Sequence, residues 1–421
     1  MSLLIRNLSQ IATPLGCAAM RGKAMRSLHV IDGGVIVVRG GHFAFAGREV
    51  NIPTDVRASI TEDFDARRAT ALPGFVDTHT HIPFAGFRES EFNRRLQGET
   101  YEQIAASGGG IASSVRATRQ ATEGELVENV LARGRMMARH GTTTAEAKSG
   151  YGLNLEDELK QLRAIRTAAE RAPLRLVPTC LAAHEFPPER RGDPAWVDEI
   201  VERILPAVAR EGLAVFCDAF VERGVFTREQ GERILRAGAR VGLVPRLHAD
   251  ELSDTHGASL AAALDAASAD HLMHIGDEGI AALAKSNTVA NLLPATSFFL
   301  MSDLYAPARR LLDAGAIVSL STDCNPGSSM TESMPMVMQL ATLQMKMTVE
   351  ESITAATLNG AYSLRRAQEI GTIETGKCAD LVLLDAPSYL HLVYHFGVNL
   401  VRDVLHDGRF VVRGGVVVVS G

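Results

Sequence analysis

Between residues 71 and 375 the chain alternates short apolar runs with amphipathic stretches, a pattern that predicts a parallel sheet wrapped by helices. Eight runs read as strands: 74–77, 142–146, 174–180, 214–217, 243–247, 269–272, 288–293 and 317–320. Residues 123–139, 154–170, 194–210 and 227–239 read as helices between them, and Thr227 with Gln230 has the spacing of a capping box. Eight such units predict a TIM-like (β/α)8 barrel, whose chemistry lies where strands pass into loops.

Both flanks are patterned differently. Runs such as 35–39 and 42–46 are rich in Val, Ile and Phe and are broken by Gly40-Gly41, and runs at 379–385, 401–405 and 416–419 have the same texture. The expected organisation is a small β-sandwich domain built from both termini, residues 1–70 plus 376–421, beside a barrel over residues 71–375. No chemistry is read in the sandwich.

Composition narrows the function. Apolar content of 46% and charged content of 22% over 421 residues are those of an ordinary globular enzyme. A net charge of −6 argues against a nucleic-acid or membrane-surface partner. No run reaches the ~18 apolar residues of a membrane span, and the first residues read as an opening strand rather than a leader. The five cysteines are scattered and never paired as Cys-x-x-Cys, which predicts reduced thiols in a cytoplasmic protein without a zinc knuckle.

Polar side chains at the predicted strand ends supply the candidate chemistry. The stretch Leu72-Pro-Gly-Phe-Val-Asp-Thr-His-Thr-His81 closes strand one with two histidines, and positions i and i+2 of a strand face the same way. His79 and His81 therefore suit one metal ion. Strand three runs on to His184, strand five to His248, Asp250 and Glu251, strand six to His271 and strand eight to Asp323. A barrel gathers all of these at one end. Three histidines and an aspartate from this group make a set for zinc or iron with a position open to water, and a divalent ion lowers the pKa of such a water toward ~7. Glu251, three residues beyond His248, is the candidate general base.

Pro73-Gly-Phe-Val-Asp-Thr-His-Thr-His81, His248, Asp323 and Gly376-Lys-Cys-Ala-Asp-Leu381 together resemble the amidohydrolase superfamily. More narrowly, Arg88-Glu-Ser-Glu-Phe92, Arg95-Leu-Gln-Gly98, Gly108-Gly-Gly-Ile111, Ala147-Lys-Ser-Gly-Tyr-Gly-Leu153, Ser268-Ala-Asp-His-Leu272 and Ser321-Thr-Asp-Cys-Asn-Pro-Gly-Ser-Ser329 resemble the imidazolonepropionase family, essentially end to end. The resemblance implies one divalent metal ion, Zn2+ or Fe2+/Fe3+, on His79, His81, His248 and Asp323. It implies substrate contacts from Arg88, Tyr151, His184, Glu251, Asn325, Gly327 and Ser328, and a possible homodimer. The implied reaction is hydrolysis of the cyclic amide of 4-imidazolone-5-propanoate to N-formimidoyl-L-glutamate, a step of histidine degradation. In it Glu251 moves the proton, His184 or His271 stabilises the oxyanion, and the Arg88 fork pairs with the propanoate tail. Asp270 is expected to hold His271 or a backbone amide.

A nucleobase deaminase on the same barrel would share the metal site, but Arg88 and the motifs around Tyr151 and Asn325 favour a substrate with a carboxylate tail. A two-metal site bridged by a lysine on strand four is disfavoured, because Lys148 follows strand two and strand four has none. Plainer readings are a surface Arg88 paired with Glu89 or Glu91, a Tyr151 that caps a turn, and a methionine-rich stretch from Met330 to Met347 that fills core.

Overall fold

A computed structural model describes residues 2–100, 103–104 and 107–418. Eight strands, Phe75–Asp77, Thr142–Lys148, Arg175–Ala183, Phe216–Val221, Val244–Ala249, Ser268–His271, Val289–Leu292 and Ile317–Leu320, pair in parallel in chain order. Their side chains meet barrel interior on one face and helices on the other, so the strands read as continuous apolar runs rather than alternating ones. All seven residues of the second strand are buried. Beyond the last strand the chain doubles back on the first: the His81 amide donates to the Cys324 carbonyl at 3.0 Å and the Asp323 amide to the His79 carbonyl at 3.1 Å. This seam sets two histidines beside an aspartate 242 residues after His81 in the sequence.

The helices Glu123–Arg139 and Arg228–Arg240 begin at capping boxes, Thr122 with Glu125 and Thr227 with Gln230. The stretch expected as one helix over 194–210 is Ala195–Glu199, a π-helical turn Ile200–Ile204, and Leu205–Glu211. Pro206 explains the break, since it brings no N–H to the helical ladder. Met334, Met338, Met345 and Met347 are buried in the main core.

Two further sheets flank the barrel. Ser2–Arg6, Val35–Arg39, His42–Gly47 and Glu62–Asp65 form one, with order third, second, first, fourth. The other has seven strands from both chain ends, in which Thr70–Pro73 pairs antiparallel with Leu381–Leu384, and that strand with Val401–His406. Leu3, Ile5, Ile36 and Phe43 of the first sheet pack with Ala71, Leu381, Leu383 and Leu405 of the second. At the C-terminal end Val416–Val417 pairs with Arg409–Arg413, while residue 419 of the expected run and Met1 of the opening one lie outside the described residues. No described helix is long and apolar enough to cross a membrane.

Candidate active site

At the ends of the barrel strands, His79, His81, His248, His271 and Asp323 point into one buried cluster. One ligand atom each from His79, His81 and His248 lies within 4.8 Å of the others, and the same holds for His79, His271 and Asp323. The Nε2 atoms of His79 and His81 face each other at 3.2 Å. Asp323 Oδ1 stands 3.5 Å from the first and 3.4 Å from the second. Such separations suit ligands of one ion: with metal–nitrogen bonds of about 2.0–2.1 Å, nitrogens 3.2 Å apart subtend roughly 100°, close to tetrahedral. His248 Nε2 is buried with no hydrogen-bond partner. Facing the other ligand atoms, it is free to take a metal ion. Burial lowers the pKa of His79 well below the usual range and that of His81 to about 4, which keeps these two rings neutral. Burial opposes ionisation of Asp323, but the neighbouring His81 and His271 outweigh it and hold the carboxyl at about 2. The donor set fits a divalent cation.

A layer of ions beneath aims these nitrogens. His79 Nδ1 donates to Asp270 Oδ2 at 2.6 Å, and His248 Nδ1 to Asp218 Oδ1 at 3.1 Å, which turns each Nε2 lone pair toward the cluster. Asp270 thus orients His79, not His271 or a backbone amide as expected from sequence. Lys148 Nζ lies 2.8 Å from both Glu146 and Asp218 and 3.9 Å from Asp270. Burial works against its charge, but Asp218 and Glu146 raise its pKa above the ordinary lysine value. It is the last residue of strand two rather than a residue beyond it. Arg246 adds a second cation, 3.4 Å from Asp270. Three carboxylates against two cations leave this floor with an excess of negative charge, which favours a cation above.

Three strand-end residues, Asp250, His271 and Asp323, have positive φ of 52°, 77° and 55°. Such backbone costs of order 1–3 kcal/mol per residue and persists only where the surroundings fix it. At Asp250 the fixing is visible, since its carboxylate accepts from the amides of Thr255, Gly257 and Ala258.

A cavity of about 490 Å³ opens above the cluster, and its walls include Arg88, Arg95, Tyr151, His184, Glu251 and Ser328. Glu251 Oε2 is 3.6 Å from His271 Nε2. Burial, then the charge of Asp323, pushes the Glu251 carboxyl up to about 8, the range of a working general base or acid. His184 Nδ1 donates to the Gly150 carbonyl at 3.0 Å, so its Nε2 carries the lone pair. Gly150 has φ 116°, and a Cβ there would meet the Leu181 carbonyl and His184 Nδ1 at 3.0 and 3.1 Å, which accounts for the glycine before Tyr151. Tyr151 is buried, and burial raises its phenol pKa, so it stays protonated as a donor. Arg88 pairs with Glu91 at 2.8 Å, yet the pair lines the cavity instead of the surface, with side chains only 13% and 12% exposed. A Cβ at Gly327 would overlap Arg88 Nη1. Asn325, expected to offer donors, uses them within its own turn: Nδ2 donates to the Asp323 carbonyl at 2.7 Å, and Oδ1 accepts from the Gly327 and Ser328 amides at 2.8 Å.

The proposed ligands and substrate contacts meet at this cavity or the cluster below it, whereas Asp250 spends its carboxylate on its own loop. Sequence reading missed the floor (Glu146, Lys148, Asp218, Arg246) and the second arginine, Arg95. One signal was present: Glu146 and Lys148 stand at i and i+2 of an apolar barrel strand, where a charge needs a buried partner.

Comparison with known proteins agrees with this geometry. The model of the amidohydrolase family matches residues 70–411. The chain is 50% identical over 417 residues to an imidazolonepropionase of Porphyromonas gingivalis, covering 98% of this chain and 97% of that protein. Imidazolonepropionases of Geobacillus sp. and Symbiobacterium thermophilum are 47% and 48% identical, with 98% of both partners covered in each case. In fold alone the chain is similar to an adenosine deaminase from Xanthomonas campestris with bound zinc (TM-score 0.73, 19% identity, 100% of this chain and 94% of that one). It is also similar to a triazine hydrolase variant (TM-score 0.75, 18% identity, 100% and 96%). With a barrel, a metal-binding donor set and relatives at about half identity end to end, the chain belongs to the amidohydrolase family and, within it, to the imidazolonepropionases.

Proposed function

We propose that this enzyme hydrolyses the ring amide of 4-imidazolone-5-propanoate to N-formimidoyl-L-glutamate, using one divalent ion, zinc or iron, held by His79, His81, His248 and Asp323. The observation that carries this is one cavity combining a metal-binding histidine–aspartate cluster, a carboxyl with pKa near 8 and an arginine placed for a carboxylate tail. The names of the relatives support it.

The ion supplies Lewis acidity and an activated water. Glu251 takes the proton as water's oxygen joins the ring carbonyl carbon, and returns it to the ring nitrogen as the C–N bond breaks. A group with a pKa near the working pH does both halves well, and burial gives Glu251 that pKa. His271 stands against Glu251 with its Nε2 toward the cavity and is the ring that can donate to the developing oxyanion, whereas His184, with its Nδ1 proton on the Gly150 carbonyl, presents an accepting Nε2 to the substrate. Arg88 holds the tail. Tyr151 donates its hydroxyl, while Asn325, Gly327 and Ser328 shape the facing wall. A nucleobase deaminase has no use for the arginine. Turnover of freshly prepared imidazolone propanoate, followed by loss of the ring chromophore, tests the reading; a metal-loaded enzyme that leaves it intact overturns it.

We further propose that residues 1–70 plus 376–421 act as one scaffold domain for the barrel of 71–375. The five free cysteines support a cytoplasmic setting. A homodimer, implied by the resemblance alone, is checked by light scattering.

A further inference from the structure

The cavity wall facing the Asp323–Ser329 turn carries two arginines, not one. The helix Glu89–Leu96 puts Arg88 at its N-cap, Glu91 one turn in and Arg95 one turn further, all on one face. Glu91 accepts from Arg88 Nε at 2.8 Å and from the Gly110 amide at 3.2 and 3.1 Å, so it balances Arg88 and anchors the glycine loop at once. Arg95 has no such partner: among the described residues no carboxylate lies within salt-bridge distance of it. Its guanidinium is half-buried, 5.6 Å over the Phe92 ring and 5.4 Å over the Phe299 ring, with those rings stacked at 4.8 Å. Nη2 donates to the Gly327 carbonyl at 3.3 Å, the residue over which Arg88 Nη1 also lies.

The charges of the wall then sum in an informative way. Arg88 and Glu91 cancel. Of the other carboxyls of the wall, Asp323 belongs to the metal-binding cluster, and neither Glu185 nor Glu251 lies within salt-bridge distance of Arg95. Among the described residues Arg95 is the arginine of the wall without a paired carboxylate, its pKa lowered first by burial and then by Arg88. A guanidinium desolvated beside a like charge is relieved by an incoming anion.

We propose that Arg95 is a specificity-determining residue, the cation whose charge the substrate's propanoate carboxylate neutralises, while Arg88 chiefly supplies hydrogen-bond geometry. This deepens the reading of the substrate given above and rests on it. The aromatic clamp keeps Arg95 aimed at the cavity, so little side-chain freedom is lost on binding.

The experiment compares acid and amide. Binding of 3-(imidazol-4-yl)propanoate and of its primary amide to the metal-loaded enzyme is measured by calorimetry for wild type, Arg95→Gln, Arg95→Lys and Arg94→Gln. Arg94 is the control, because it faces away to Glu99 at 2.5 Å. Wild type should favour the acid, and Arg95→Gln should lose about 10- to 100-fold of that preference, the range of a charge-assisted contact. Arg95→Lys should recover part of it, and Arg94→Gln should keep all of it. Metal content and Tm should stay at wild-type values in Arg95→Gln. Equal losses for acid and amide would make Arg95 a structural residue, and an unchanged ratio would leave the tail to Arg88; either result overturns the proposal. Turnover is scored separately: failure of wild type to hydrolyse imidazolone propanoate removes the substrate reading, while an acid-over-amide preference lost in Arg95→Gln would still assign Arg95 to a carboxylate.

Discussion

Two arginine-lined cavities among the described residues invite comparison, and the larger is the less eloquent. One of about 980 Å³ lies between the barrel and the sheets from the chain ends, with Arg135, Arg175, Arg366, Glu369, His406 and Asp407 in its walls. Its most buried charges are already matched: Arg175 reaches Asp380 at 2.9 Å and Asp407 at 2.6 Å, and His406 lies 3.0 Å from Asp380. The cavity at the strand ends has about half the volume, yet below it His248 Nε2 is orphaned and Glu251 is displaced to about 8. Closed ion pairs hold parts together, whereas unmet donors and displaced pKa values await something. Volume does not separate the two; a histidine–aspartate cluster beneath a carboxyl displaced to about 8 does.

Substitutions sharpen that contrast. The largest effect is expected from His248→Ala or Asp323→Ala, which should lose both bound metal and measurable turnover, read by elemental analysis and assay; an active, metal-free variant would end the ion model. Glu251→Gln should retain metal and fold while activity falls about 10²–10⁴-fold, as for a general base. Arg88→Ala should cost ~2–5 kcal/mol, roughly 30- to several-thousand-fold in kcat/KM, and the loss should shrink for a substrate whose tail is a neutral amide.

The pH profile gives a smaller but sharper check. A base acts only when deprotonated, so kcat/KM should rise with pH through the pKa of Glu251. Burial and Asp323 push that value to about 8, and a bound cation pulls it down. The acid limb should therefore lie above the ~4.3 of an ordinary glutamate and no higher than about 8, and Glu251→Gln should abolish it. A limb at the ordinary value would assign the proton to another group. The smallest effect on catalysis belongs to the other cavity. Arg175→Met removes one partner of the buried Asp380, which keeps His406 and the Asp407 amide, and should lower Tm by less than the about 3–5 kcal/mol of a fully broken buried pair. It should leave kcat/KM of the folded enzyme within about twofold, since distant sites act independently.

Most of the barrel was legible because its strands are uniform apolar runs closed by polar residues. All eight expected runs coincide with observed strands within a few residues, and helix 123–139 is reproduced end to end. The ligand candidates were legible because period two aligns His79 with His81 and strand ends share one rim. What stayed hidden depended on partners far away in sequence. Lys148 is meaningful only beside Asp218, 70 residues on, and Asp270 only beside His79, 191 residues back. The role of Arg88 was ambiguous for the same reason: its partner Glu91 was foreseen, but burial of the pair needed the Asp323–Ser329 turn packed over it. The helix break at Pro206 was visible in the sequence and undervalued.

The pairing of Thr70–Pro73 with Leu381–Leu384 bears on the order in which the enzyme is made. Thr70–Pro73 leads through Gly74 directly into the strand that carries His79 and His81, and its partner strand is delivered by the ribosome more than 300 residues later. A nascent chain stopped at residue 380 already holds every proposed ligand, but its first barrel strand lacks one rail. With contacts spanning more than 300 residues, assembly waits on chain ends that must find each other late, a slow topology. A polypeptide released before Leu384 would carry all the chemistry and none of the alignment, and quality control would meet it as a folding failure rather than a catalytic one.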